Sequence, residues 1–238
     1  MKIPSLEDLM KSGVHFGHQK SKWHPKMAPF LFTEKNGIHI INLEQTQKQL
    51  EKALDFARQT VLNGGNILFL GTKKQAKEIV RQGAIACNMP FVVNRWLGGT
   101  LTNATSVFNT IKRLRKIKDE KATGAWEKYT KKERVLIDKE IIKLEALVGG
   151  MEKINKIPTV IFVVDIKTEK TAIAEANRCH VPLIAVCDSN VNPEMIDYPI
   201  PGNDDAISSI KLLVNLLSET ILEAQKELAE KLADSLKK

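Results

Sequence analysis

Apolar positions along this 238-residue chain follow two different periods. Short continuous runs at Asn66–Leu70, Phe91–Val93, Thr159–Val164 and Leu183–Cys187, with a brief one at Tyr198–Ile200, have the length and the β-branched and aromatic content of strands buried on both faces. Helical stretches alternate with them. Glu44–Leu62 carries Leu50, Ala53, Leu54, Ala57 and Val61 on one stripe, and Asn63-Gly64-Gly65 ends it. Lys74–Cys87, Glu169–Cys179 and a long run from Asp204 onward read the same way. Strand alternating with helix predicts a doubly wound, flavodoxin-like α/β fold around a parallel sheet. Ahead of it, a short helix at Ser5–Met10 precedes an irregular stretch, GVHFGHQKSKWHPKM. A β-hairpin then pairs Phe30–Phe32 with Ile38–Ile41 across Lys35-Asn36-Gly37, since Asn-Gly is a strong hairpin turn.

Residues 101–150 interrupt the alternation. Val107, Ile111 and Leu114 repeat at four and three, and Ile137, Ile141, Leu144 and Val148 at four, three and four, which are coiled-coil spacings. Gly124 and Trp126 lie between them. The segment reads as an antiparallel helical hairpin inserted between two strands. Its apolar seam is narrow for a further layer of an ordinary domain, so a projecting arm is expected. The expected organisation is an N-terminal extension with the first long helix over residues 1–65, an α/β domain over 66–100 and 151–238, and the coiled-coil arm over 101–150.

Charge changes this picture from architecture to partners. Lys plus Arg number 36 against 28 Asp plus Glu, a net +8. The first 150 residues carry +12, whereas residues 188–238 carry −5. A basic portion favours a polyanion, because each neutralised phosphate releases counterions, and the acidic end needs a different partner. No apolar run approaches the roughly 18–20 residues of a membrane span. Glu7 and Asp8 argue against a signal peptide, and the scattered Cys87, Cys179 and Cys187 fit a reducing cytoplasm rather than a disulfide framework or zinc ribbon.

Catalytic chemistry finds little support. Doubly wound sheets often bind nucleotides at the carboxyl ends of their strands, so a nucleotide-binding enzyme is the alternative reading. The first strand, however, runs into LFLGTKKQAK, which has neither GxGxxG nor GxxxxGK[ST]. Lys73 and Lys74 there are either phosphate contacts or solvated lysines. His15 and His18 form HxxH, with His24 beyond and no cysteine nearby, and Cys87 and Cys179 sit on apolar helix faces. Asp188, Asp204 and Asp205 follow strands on one edge of the sheet. They are either helix caps and a turn residue, or a converging oxygen set for a divalent metal ion, the one candidate cofactor.

GVHFGHQKSKWHPKM, NGIHIINLEQT, RWLGGTLTN and DSNVNPEMIDYPIPGNDDAI together resemble the bacterial small-subunit ribosomal protein S-two family, in family order from the amino terminus to about Ser218. His24 stands where that family more often has Asn, and residues 151–157 diverge. The resemblance implies a non-enzymatic structural constituent of the small ribosomal subunit that serves translation. It implies a flavodoxin-like sheet with a protruding coiled coil, placed at the head–body junction and bound to small-subunit rRNA. It also implies neighbouring ribosomal proteins, among them S-one, which could supply a further ligand to the acidic edge, in the cytoplasm and without membrane contact or homo-oligomer. Within that reading the expected phosphate contacts are Lys20, Lys22, Lys26, Arg95, Lys112, Arg113, Arg115 and Lys116, with Trp23 and Trp96 as base-stacking candidates.

Overall fold

The computed structural model describes residues 3–236. Helix α1 (Leu6–Lys11) starts at a capping box in which Ser5 and Asp8 each satisfy the other's backbone N–H. Strands β1 (Phe16–Gln19), β2 (Leu31–Lys35) and β3 (Ile38–Ile41) form an antiparallel sheet in the order β1-β3-β2. Asn36 and Gly37 turn the β2–β3 hairpin with φ of 52° and 76°, left-handed values that this pair tolerates. β1 lies in the stretch expected to be irregular. FGHQ has too little apolar alternation to announce a strand, and it becomes one by pairing with the free edge of β3.

Then follow α2 (Leu43–Leu62), β4 (Ile67–Leu70), α3 (Lys77–Ala86), β5 (Phe91–Val92), α4 (Ala104–Ala122), α5 (Lys131–Val148), β6 (Val160–Val164), α6 (Lys170–Arg178), β7 (Leu183–Cys187), β8 (Tyr198–Pro201) and α7 (Ile207–Leu236). The sheet β5-β4-β6-β7-β8 is parallel throughout. Counted within this unit the order is 2-1-3-4-5, the flavodoxin-like arrangement, with its switch point between β4 and β6. α7 begins three residues later than Asp204. Asn203 Oδ1 accepts the N–H groups of Asp205 (2.8 Å) and Ala206 (2.9 Å), so an asparagine organises the turn and neither Asp204 nor Asp205 caps the helix.

Alternation along the strands divides the core. Ile67, Phe69, Phe162, Ile184 and Val186 face α2, α3 and α7; Leu68, Leu70, Ile161, Val163 and Ala185 face α6 and the base of the α4–α5 hairpin. Both faces are covered, which is why these strands carry apolar runs rather than alternating ones. α4 and α5 pair through Arg113–Glu140 (2.5 Å), Lys121–Asp138 (2.6 Å) and Lys118–Glu145 (2.8 Å). Their buried Val107, Ile111, Leu114, Ile141 and Val148, with Trp126 from the connection between them, are continuous with the core beneath the sheet. At the hairpin's exit Gly150 lies against the backbone of Phe91, and a Cβ there would overlap the Phe91 carbonyl oxygen.

Candidate nucleic-acid interface and acidic pocket

The basic candidates fall into three groups. Lys20, Lys22, Trp23 and Lys26 lie between β1 and β2, in a loop anchored at the carboxyl end of the parallel sheet: the N–H of His18 donates to Ser189 Oγ (2.7 Å) and that of His24 to the Ser189 carbonyl (2.8 Å). Gly17 permits this approach, since a Cβ would come within 2.8 Å of Ser189 Oγ. Lys20 pairs with Glu34 and Lys26 with Glu194, each at 2.7 Å, while Lys22 is exposed. The Trp23 ring, 38 % exposed, rests on His39 with centroids 5.2 Å apart. Arg95, exposed, and Trp96 follow β5 at the same end of the sheet. Lys112, Arg113, Arg115 and Lys116 lie on α4.

Two of these residues have internal duties. Trp96 is 7 % exposed and its indole N–H donates to Glu175 Oε1 (3.1 Å), so its ring is not presented to a base. Arg115 turns to the base of the hairpin, donating to the carbonyls of Glu152 and Ile154 and to Asn155 Oδ1 (2.9 Å). Lys112 and Arg95 are exposed, and among the described residues no ion pair is recorded for either. Arg113 meets Glu140, and Lys116 lies 3.9 Å from Glu120.

Glu175, which carries no motif signal in the sequence, holds the RWLGGTLTN loop. Its carboxylate accepts Trp96 Nε1, the N–H groups of Gly99 (2.8 Å), Leu101 (3.0 Å) and Thr102 (3.3 Å), and the Thr102 hydroxyl (3.3 Å). Burial alone would raise its pKa; these donors outweigh burial and hold it below the ordinary carboxylate value.

The acidic residues converge at the carboxyl end of the parallel sheet, beyond β6, β7 and β8. Asp188 ends β7 and is buried, and its Oδ2 accepts the N–H of Asp204 (3.4 Å). His18 bridges the group, with Nδ1 3.0 Å from Asp188 and Nε2 3.3 Å from Asp205. Lys73 extends into it, its Nζ 2.5 Å from Asp205, 2.8 Å from Asp204 and 3.3 Å from Asp165. Lys73 is thus not a solvated lysine: three carboxylates hold it. Asp165 carries a left-handed φ of 71° and is fixed by the Thr168 N–H (3.0 Å) and hydroxyl (2.7 Å). Its neighbour Glu169 is pushed up by burial even though the Thr72 N–H donates to it (2.8 Å).

Charges in this pocket shift in opposite senses. The hydrogen bond to Asp188 raises His18 above its ordinary value against the effect of burial. Burial would lower Lys73, but Asp204 and Asp205 outweigh it and its pKa rises. Asp204, buried and facing Asp188 and Asp165, is pushed up to about 7 despite Lys73. Asp205 is more open; Lys73 overcomes the burial cost and holds it below its usual range. The partners differ because Lys73 sees only opposite charge, whereas Asp204 also sees its own sign. Ligand-capable atoms of His18, Asp188 and Asp204 lie within 4.8 Å of one another. Two of the three expected aspartates are therefore in that set, and Asp205 reaches it through His18. His18 had surfaced in the sequence through HxxH, and Lys73 through its place after a strand; Asp165 gave no signal.

The fold is thus a flavodoxin-like α/β protein with lysine- and arginine-bearing loops at the carboxyl end of its parallel sheet and neither GxGxxG nor GxxxxGK[ST] after its first parallel strand. The comparisons with known proteins make the class specific. The family profile described as Ribosomal protein S2 matches residues 9–224. Small ribosomal subunit protein uS2 of Mycobacteroides abscessus is 45 % identical over 223 residues, covering 94 % of this chain and 80 % of that protein. Proteins of the same description from two strains of Dehalococcoides mccartyi are 46 % identical over 228 residues (96 % and 93 % covered) and 45 % over 225 (94 % and 92 %). The chain belongs to the ribosomal protein S2 family, the ribosomal proteins of the small subunit that serve translation.

Proposed function

We propose that this chain is a structural constituent that binds small-subunit rRNA at the head–body junction through its β1–β2 loop, the loop after β5 and the outer face of α4. The carrying observation is the family match over residues 9–224, which spans all three basic groups. Lys20, Lys22, Lys26, Arg95, Lys112, Arg113 and Lys116 supply phosphate contacts in this reading, and Trp23 offers a ring face for stacking. Arg115 and Trp96 hold the arm and loop in shape. The α4–α5 hairpin acts as an arm toward rRNA, and the protein works as a single copy in the cytoplasmic ribosome. The nucleotide-enzyme alternative loses support from Lys73, because the carboxylates around it repel phosphate. The test is reconstitution of small subunits with a Lys22→Ala, Arg95→Ala, Lys112→Ala, Lys116→Ala chain. Reduced incorporation with unchanged thermal stability is expected; normal incorporation at every salt concentration overturns the interface.

For the acidic pocket we propose uptake of a divalent ion by exchange for the His18 proton, with His18, Asp188 and Asp204 as donors and Asp205 beside them. Ribosomal protein S-one docks on this edge in the same reading. Zinc titration of the isolated chain should release a proton and lose its signal in the Asp188→Ala, Asp205→Ala variant. Subunits carrying that variant should assemble but retain less S-one. No heat of binding, or full S-one retention, overturns the respective part.

A further inference from the structure

The acidic side chains of α5 are all engaged within the hairpin. Glu133 completes a capping box with Thr130, Asp138 pairs with Lys121, Glu140 with Arg113 and Glu145 with Lys118. The outward lysines are not so engaged: Lys131, Lys132, Lys139 and Lys143 are exposed, and among the described residues no ion pair is recorded for them. Between them sit Val135, Leu136 and Ile142, which are 47 %, 57 % and 67 % exposed.

At about 100° per residue, these seven positions fall on the side of α5 opposite the seam of Ile137, Ile141, Leu144 and Val148. α5 therefore has a second apolar stripe that no described residue covers, with a shallow groove bounded by Lys131, Lys132, Val135, Leu136 and Lys139. Folding alone gives no reason for it. Valine and isoleucine form helix less readily than alanine, glutamate or lysine, and in water they bury nothing. RNA does not explain it either. Lysines suit phosphate, but aliphatic side chains have no π-face on which a base can stack. An aliphatic ridge flanked by unneutralised cations is complementary to a helix with the same ridge and carboxylates on its flanks.

We propose that this outer stripe of α5 is a docking face for an acidic amphipathic helix of another protein. Aliphatic residues three and four apart on that helix sit against Val135, Leu136 and Ile142, while its carboxylates meet Lys131, Lys132, Lys139 and Lys143. The face is distinct from the α4 face assigned to rRNA, so either assignment can fail without the other.

The test places a photoreactive amino acid at Leu136 and irradiates assembled small subunits carrying the full chain. The expected adduct is a protein segment with Asp or Glu flanking aliphatic positions at helical spacing. An rRNA adduct, a protein adduct lacking that pattern, or no adduct overturns the proposal. A second measurement uses a fluorescent 18-residue Leu/Glu helix-forming peptide and a scrambled peptide of the same composition. Leu136→Ser with Ile142→Ser should weaken binding of the patterned peptide about tenfold while circular dichroism and melting stay unchanged. Lys132→Gln with Lys139→Gln should do the same and flatten its salt dependence. Equal binding of patterned and scrambled peptides overturns the helix-docking claim.

Discussion

Glu175 shows how one side chain can shape a loop that carries no obvious constraint of its own. Its carboxylate gathers an indole N–H, three backbone N–H groups and a hydroxyl, and removing it leaves buried donors without an acceptor. Glu175→Ala should cost about 3 kcal/mol in urea unfolding and shift Trp96 emission to the red. Because the folded-state pKa of Glu175 is lowered, its contribution is present above the unfolded carboxylate value. It should disappear as pH falls through the folded value, so the difference between parent and variant should shrink in acid. Lys73 presents the opposite case. Lys73→Met leaves Asp165, Asp204 and Asp205 facing one another without a cation, at a cost of about 3–5 kcal/mol near neutral pH. Asp204 is pushed up to about 7 even with Lys73 present and goes higher without it, so its share of the penalty should fall as pH is lowered toward 7; Asp205, which Lys73 holds below its usual range, should add a further fall in acid. A penalty independent of pH would show that Lys73 acts by packing alone. Neither role could be read beforehand: a lone glutamate on a helix and a lysine after a strand are ordinary in sequence, and their partners are tens of residues distant.

At the level of elements, continuous apolar runs located all five parallel strands to within a residue or so, because strands buried on both faces leave little ambiguity. β1 escaped because its pairing, not its composition, makes it a strand. The start of α7 was misplaced because Asn203, rather than the two following aspartates, bonds the exposed N–H groups. The heptad-like spacings in 101–150 marked two helices correctly, but spacing cannot say where a seam ends. Here it runs into the core under the sheet through Trp96, Leu101 and Met151. Leu114, fully buried between hairpin and core, should therefore be felt in both. Leu114→Ala is expected to lower overall stability by about 2–4 kcal/mol in a single cooperative transition. A separate early transition confined to the hairpin would instead show an arm that melts independently.

For the molecule as a whole, charge is the quantity that the sequence exposed most directly. The +12 over the first 150 residues is spread over loop and arm, and the structure shows how much of it is already answered internally: Lys20, Lys26, Arg113, Lys118 and Lys121 all have carboxylate partners. Net charge therefore overstates the field available to a polyanion. Binding to small-subunit rRNA should weaken linearly with log salt. Lys22→Ala, Lys112→Ala or Arg95→Ala should each reduce the slope by about one, whereas Lys26→Ala should reduce it by less, since Lys26 must first leave Glu194. Equal reductions for all four would mean that the Glu194 pair contributes nothing in the bound state.

The anchoring of residue 18 and residue 24 on Ser189 has a temporal side. The Val14 carbonyl accepts the N–H of Asn203 and the Pro201 carbonyl the hydroxyl of Thr46, so an early-made stretch rests in part on one of the latest. While the chain is being synthesised, the β1–β2 loop has only the β1-β3-β2 sheet, the Lys20–Glu34 pair and the Trp23–His39 contact to hold it until β7 and β8 have emerged, and closure of so long a span is slow. The lysine-rich loop consequently spends its first moments as a loose polycation beside the very machine that is making it. The contacts proposed for rRNA on this loop take their final shape only when the last quarter of the chain has arrived to hold them.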